Sequence, residues 1–215
     1  MATSGIFVGI DTGGTFTDFV VVDGERGRVH KVLSTPDRPE RPILAGMRDL
    51  GLDTEGGRVI HGSTVATNAV LEGKGVRTLF VTNRGFTDLL TIGRQSRGEL
   101  YDLQPQRPPP PVPPELCIGT GGRVGADGRL LEPMTAEDLR AVQETVAEMR
   151  PSAVAVNMLF SYLDDSAERA IARSLPADCF VSLSSRVCPE IREYERGMAT
   201  WLNAYVGPLV AGYVR

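Results

Sequence analysis

The chain has 215 residues, 41% of them hydrophobic, and a formal net charge of −4, so it carries enough apolar content for a real core and no cation excess to neutralise a nucleic-acid backbone. Its three cysteines, Cys117, Cys179 and Cys188, are an odd number without a Cys-x-x-Cys pair, which argues against a zinc site or a disulfide framework and for reduced thiols. MATSGIFVGID has no basic leader or long apolar run, and nothing later approaches the ~20 apolar residues of a membrane span, so a cytoplasmic location is expected, with neither nucleic acid nor membrane as partner.

In chain order, Ile6 to Ile10 and Phe19 to Val22 are β-forming runs on either side of a glycine turn, and DGERGR ends the second run before VHKVLS. A β-meander is therefore predicted at the start. PERPILAGMRDLG has the spacing of a helix of about three turns with Gly51 as its stop. RVIHGSTVATNAVLEGKGVRTLFVT reads as strand, polar turn, helix from about Thr64 to Glu72, then a strand from Thr78 to Val81. RGFTDLLTIGRQSRGELYDL predicts a short helix and a polar loop leading into QPQRPPPPVPPEL, whose prolines forbid regular helix or a central strand. A subdomain seam is expected there, near 104–115.

Beyond it, GRVGADGRLLEPM predicts two short strands around Asp127-Gly128. Thr135 and Asp138 form an approximate capping box for a helix whose Leu139, Val142, Val146 and Met149 share one face. SAVAVNMLFSY has the continuous apolar character of a buried parallel strand, and a helix from Ala167 to Leu175 and a strand from Phe180 to Leu183 complete a βαβ unit. The tail is helical in pattern, interrupted only at Gly207-Pro208.

The stretch GIDTGGTFTDFVVVD places two carboxylates around Gly13-Gly14. Glycines allow several backbone N–H groups to converge on a phosphate, and Thr12 and Thr15 add hydroxyls. Asp11, at the end of a strand expected to be buried, needs a cation, and Mg²⁺ on a nucleotide meets that need. The loop lies between two strands, so it is neither a Walker A nor a Rossmann loop, both of which open a helix. On composition alone the same residues also suit a plain hairpin turn.

A strand-turn-strand phosphate loop of this type resembles the first phosphate hairpin of the actin, sugar-kinase and heat-shock ATPase superfamily. The blocks VGIDTGGTFTDFVVVD, VIHGSTVATNAVLEGKGVRTLFVTNRGFTDLLTIGRQ, AVAVNMLFSYLDDSAER and VSLSSRVCPEIREYERGMATWLNAYVGPLV narrow the resemblance to the N-terminal domain of the hydantoinase A / 5-oxoprolinase family across almost the whole chain. It implies an α/β fold, an actin-like ATPase (ribonuclease H-like) lobe with a mixed sheet, a β-hairpin phosphate loop and flanking helices. It further implies ATP-dependent hydrolysis of a cyclic amide or imide, in which ATP activates a carbonyl by phosphorylation, or carboxylation of a ketone in the related enzymes.

Carried over by residue, the resemblance makes Asp11 the organiser of Mg²⁺ and makes Thr12, Gly13, Gly14 and Thr15 the holders of ATP phosphates, with Asp18 a second polar candidate that also suits bracing the hairpin. His61 is a candidate acid or donor to a substrate carbonyl, and equally a residue that fixes a strand-to-helix turn. Thr64, Asn68 and Arg94 are substrate candidates; Ser63 and Thr64 also suit helix capping, and Arg94 with Gln95 a surface loop. Glu190, Glu193 and Arg196 are read as surface ion pairs at helical spacing. The chain departs from the family pattern at Ser63, Arg186 and GMAT, which bears on substrate rather than fold. No second Asp-x-Gly-Gly-Thr loop follows, since GTGGRVG lacks both the Asp and the Thr. One lobe is therefore expected, completed by a second catalytic lobe or by a hydantoinase B type subunit, or else a silent domain with an assembly role.

Overall fold

The computed structural model describes residues 5–35, 38, 40–52, 57–96, 101, 103–104 and 109–214. The chain divides into two compact units, Met1–Lys74 with Leu209–Arg215, and Gly75–Pro208. The segment 104–115, where the sequence predicts a seam, falls inside the second unit instead.

In the first unit, β1 (Phe7–Thr12), β2 (Phe16–Asp23) and β3 (Arg26–Leu33) form the predicted antiparallel meander. The helix α1 (Glu40–Asp49) then returns the chain so that β4 (Arg58–Ser63) lies parallel to β1, giving the order β3-β2-β1-β4, and α2 (Val65–Leu71) follows. Alternation along the strands sends Val8, Ile10, Phe19 and Val21 to one face, where they form the core with Met47 of α1. Gly46 makes this close approach possible, because a Cβ there would lie 2.3 Å from the Phe19 ring. The opposite face carries Phe7, Phe16, Val20, Val22, Val29, Leu33 and Ile60, each between 41% and 77% exposed.

The second unit is built on β5 (Thr78–Asn83), followed by α3 (Leu89–Ile92), β6 (Cys117–Thr120), the short antiparallel pair β7 (Arg123–Val124) and β8 (Leu130–Glu132), and α4 (Ala136–Met149). Then come β9 (Ala153–Asn157), α5 (Ser166–Ser174), β10 (Phe180–Leu183), α6 (Ser184–Val187) and α7 (Glu193–Val214). Its main sheet, β10-β9-β5-β6, is entirely parallel. Both faces are covered, which is why these strands read as unbroken apolar runs: Leu79, Val81, Val154 and Val156 pack with Val142, Val146 and Ile171, whereas Phe80 and Ala155 pack with Trp201 and Ala204. The helix α7 continues through Pro208, which has no N–H for the helical ladder, and the boundary between the two units follows that residue.

Candidate functional site

The turn from β1 to β2 is closed by the Gly13 N–H donating to the Phe16 carbonyl at 2.9 Å, so this amide is committed to the hairpin. The amides of Gly14 and Thr15 donate to no described group, and both residues are exposed. A Cβ on Gly14 would stand 3.3 Å from Asn68 Nδ2, so glycine lets the loop lie against α2. Two free, adjacent N–H groups beside the exposed Thr15 hydroxyl are donors open to an anion.

Asp11, Asp18 and Lys31 occupy one cross-sheet row, with Gly62 on the other side of Asp11. Lys31 Nζ pairs with Asp18 at 3.0 Å and lies 4.9 Å from the centre of the Phe16 ring. Asp11 is exposed, contrary to the expectation of a buried strand end. Alternation puts Val8 and Ile10 beneath α1, with Thr12 on the same face, and leaves Asp11 on the open face, so no desolvation penalty forces a cation upon it. Among the described residues no group of three or more His, Cys, Asp or Glu is placed to hold a metal.

On the covered face, Thr12 is 2% exposed and its Oγ1 lies 3.1 Å from His61 Nε2. The same nitrogen is 2.6 Å from the Tyr213 hydroxyl, with the two ring centres 5.4 Å apart. The Thr64 N–H donates to the Thr12 carbonyl at 3.1 Å, with the Thr64 hydroxyl donating to the same oxygen at 3.4 Å. Asn68 Nδ2 in turn donates to Thr64 Oγ1 at 3.4 Å. Capping of α2 comes from Ser63, whose Oγ accepts from the Val65 N–H at 3.3 Å, and not from Thr64. The fold therefore gathers Thr12, Gly14, His61, Thr64 and Asn68 around one strand end, with Asp11 and Asp18 on the other face of the same hairpin. Tyr213 joins them from 152 residues away with no motif to announce it.

Arg94 belongs to the second unit, where its Nε donates to Glu195 at 2.7 Å and its guanidinium lies 5.9 Å from the Tyr194 ring centre. The larger departure from the sequence reading is Arg196, which is fully buried rather than part of a surface ion pair. Its Nε donates to Asn157 Oδ1 at 3.1 Å, Nη1 to the Glu190 carbonyl at 3.0 Å, and Nη2 to the Met158 carbonyl at 2.7 Å and to the Glu193 carboxylate. Burial pushes the Glu193 carboxyl above its ordinary value despite the guanidinium beside it. Glu168 accepts from the Met158 amide, the Ser184 hydroxyl and the Ser185 amide, and Asn83 Oδ1 accepts from the Leu159 amide.

This network sits at the carboxyl ends of β5 and β9. Open parallel sheets bind ligands in such positions, where successive crossovers run in opposite directions. Here the side chains bond to one another and to the backbone of neighbouring elements, so the network acts as a polar pin. The sequence signal was available in the asparagines that end two apolar strands, Asn83 and Asn157.

Among the described residues no helix is long and apolar enough to cross a membrane. A family model described as the hydantoinase/oxoprolinase N-terminal region matches residues 7–179. The chain is 32% identical to caprolactamase subunit alpha of Pseudomonas jessenii over 222 residues, covering 96% of this chain and 32% of that protein. It is 30% identical to 5-oxoprolinase 1 of Arabidopsis thaliana, covering 95% of this chain and 19% of that one. The crystal structure of the ATP-dependent caprolactamase from Pseudomonas jessenii superposes with a TM-score of 0.82 over 97% of this chain and 32% of that chain, at 32% identity. A nucleotide-free acetone carboxylase superposes with a TM-score of 0.81 over 94% of this chain and 32% of the other, at 25% identity. The fold is thus actin-like, as the hairpin suggested, and the chain spans about a third or less of the length of these relatives. With most of its length matched by the family model, the chain belongs to the hydantoinase/oxoprolinase family, within its N-terminal region.

Proposed function

We propose that this chain supplies the ATP-phosphate hairpin of an ATP-dependent enzyme that hydrolyses a cyclic amide of the hydantoin, lactam or 5-oxoproline class. The observation that carries this reading is the pair of unengaged amides at Gly14 and Thr15, presented on a glycine turn beside an exposed carboxylate. Two relatives supply the chemical context through their names, a caprolactamase and a 5-oxoprolinase, and the solved caprolactamase is ATP-dependent.

In this reading Gly14, Thr15 and the Thr15 hydroxyl bind phosphate oxygens, while Gly13 and Thr12 shape the turn through their internal bonds. Asp11 fits Mg²⁺ that arrives on the nucleotide with most of its waters, a mode that needs only one or two protein carboxylates. Asp18 is neutralised by Lys31 and so braces the row. His61, held at Nε2 by two hydroxyls, is positioned to handle a proton, with Thr64 and Asn68 lining the same strand end. ATP supplies carbonyl activation by phosphorylation.

Ketone carboxylation is the second reading, favoured by the acetone carboxylase match, whose TM-score of 0.81 differs from that of the caprolactamase only by 0.01. The relatives named subunit alpha and gamma support a further subunit as partner, and the family resemblance makes a hydantoinase B type subunit, in the cytoplasm, the partner of this reading. Isothermal titration of Mg-ATP against this chain tests the phosphate site. Saturable binding that disappears in Asp11→Ala is the expected result, and no heat at millimolar ATP would overturn it.

A further inference from the structure

His61 Nε2 has two hydroxyls within reach, Tyr213 Oη at 2.6 Å and Thr12 Oγ1 at 3.1 Å. A neutral imidazole nitrogen offers either one lone pair or one N–H, so the two hydroxyls compete for a single strong bond. Distance decides between them. An N–H donor ordinarily stands about 2.7–3.2 Å from an oxygen and an O–H donor about 2.5–3.0 Å from its acceptor, so 2.6 Å is the length of a bond in which the Tyr213 hydroxyl donates and Nε2 accepts. A phenol is also the better donor of the two, being far more acidic than an aliphatic alcohol. Nε2 is then bare, and the proton of the neutral ring resides on Nδ1.

That second nitrogen has no hydrogen bond to any described residue, and His61 is exposed while Tyr213 is half-buried. Tyr213 comes from the last turn of α7, in the part of that helix that belongs to the first unit. The two rings stand 5.4 Å apart between centres and are tilted by 41°, so the contact restrains the imidazole as well as bonding it. We propose that Tyr213 is a positioning residue of the candidate site: it locks His61 in the tautomer with its proton on Nδ1, so that the free nitrogen meets a bound molecule as an N–H donor. The use of that donor rests on the amide-hydrolysing reading above, in which it holds the carbonyl oxygen of the cyclic amide. Thr12 Oγ1 stays near the ring without setting its tautomer.

The chain has two histidines, His30 and His61, so nitrogen NMR of histidine-labelled protein reads the tautomer directly, with His30→Asn to assign the signals. At alkaline pH, where imidazoles are neutral, protonated and bare ring nitrogens resonate far apart. In the native chain Nδ1 of His61 is expected to be protonated and Nε2 bare, a measurement that needs no substitution of either partner. Tyr213→Phe keeps the ring and removes the donor, so the population is expected to shift toward the Nε2–H form, now donating to Thr12 Oγ1. Thr12→Val, which removes the competing hydroxyl at nearly constant shape, is expected to leave the native tautomer unchanged. Circular dichroism verifies the fold of both variants. A role for Tyr213 in packing alone would leave the tautomer of Tyr213→Phe as it is in the native chain. That result, an Nε2–H ring in the native chain, or a reversal caused by Thr12→Val instead would overturn the proposal. The spectra are recorded without nucleotide, so a silent Mg-ATP titration would overturn the phosphate reading and leave the tautomer result standing.

Discussion

At the scale of single residues, Arg196 shows how far spacing alone carries an inference. Glu193 and Arg196 are three apart and do share a side of α7, as helical geometry requires. Whether that side faces solvent is a tertiary fact, and here it faces the end of β9. A guanidinium without exposure is stable only because Asn157, two backbone carbonyls and Glu193 take its donors. Arg196→Ala opens a cavity, leaves Asn157 Oδ1 and the Met158 carbonyl without their donor and deprives the half-buried Glu193 carboxylate of its cation, so a loss of about 3–5 kcal/mol is expected. Urea denaturation measures it, and a loss below about 1 kcal/mol would mean that the network relaxes onto water. Asp11 is the reverse case. The glycine turn beside it was legible from composition, but its solvation followed from which sheet face α1 covers.

At the scale of elements, α4 is the helix whose sequence specified it most completely. Thr135 Oγ1 accepts from the Asp138 amide at 3.1 Å while Asp138 accepts from the Thr135 amide at 3.0 Å, the reciprocal cap that the Thr-x-x-Asp spacing predicts. The sequence did not show that Arg84 also reaches this carboxylate, at 2.7 Å. Burial pushes the Asp138 carboxyl up, but the bonds from Thr135 and Arg84 outweigh it and hold its pKa at about 2, below its ordinary 3.8. Because the folded value is the lower one, this contribution to stability is fully present above the ordinary value and is lost as the pH falls toward 2. Thermal denaturation from pH 5 to pH 2 should therefore show a steeper acid decline in the native chain than in Asp138→Asn. Parallel curves would place the acid sensitivity elsewhere.

At the scale of the whole molecule, the uneven treatment of the two sheets matters most. The parallel sheet is covered on both faces, whereas the meander sheet buries one face under α1 and exposes seven large apolar side chains on the other. Exposed apolar side chains in such number bind hydrophobic dyes and promote association. The chain should raise the fluorescence of anilinonaphthalene sulfonate in its native state, and Val29→Lys with Leu33→Lys should reduce that signal severalfold without loss of the circular dichroism spectrum. An unchanged signal would locate the dye elsewhere.

The sequence by itself determined most of the elements and their order, the hairpin, the capped α4 and the βαβ unit, because those features rest on local periodicity, turn chemistry and short-range hydrogen bonds, but it did not announce β6 or the one-turn α6. It also carried the family, since its motifs are contiguous. Tertiary structure alone decided that Tyr213 meets His61, that Arg196 is interior, that Asp11 is solvated, and that the division of the chain falls at Lys74 and Pro208 rather than at the prolines of 104–115. Each of these depends on which distant surfaces pack together. Burial and partnership are properties of that packing, and a linear pattern of polar and apolar residues records only which side of an element a residue occupies.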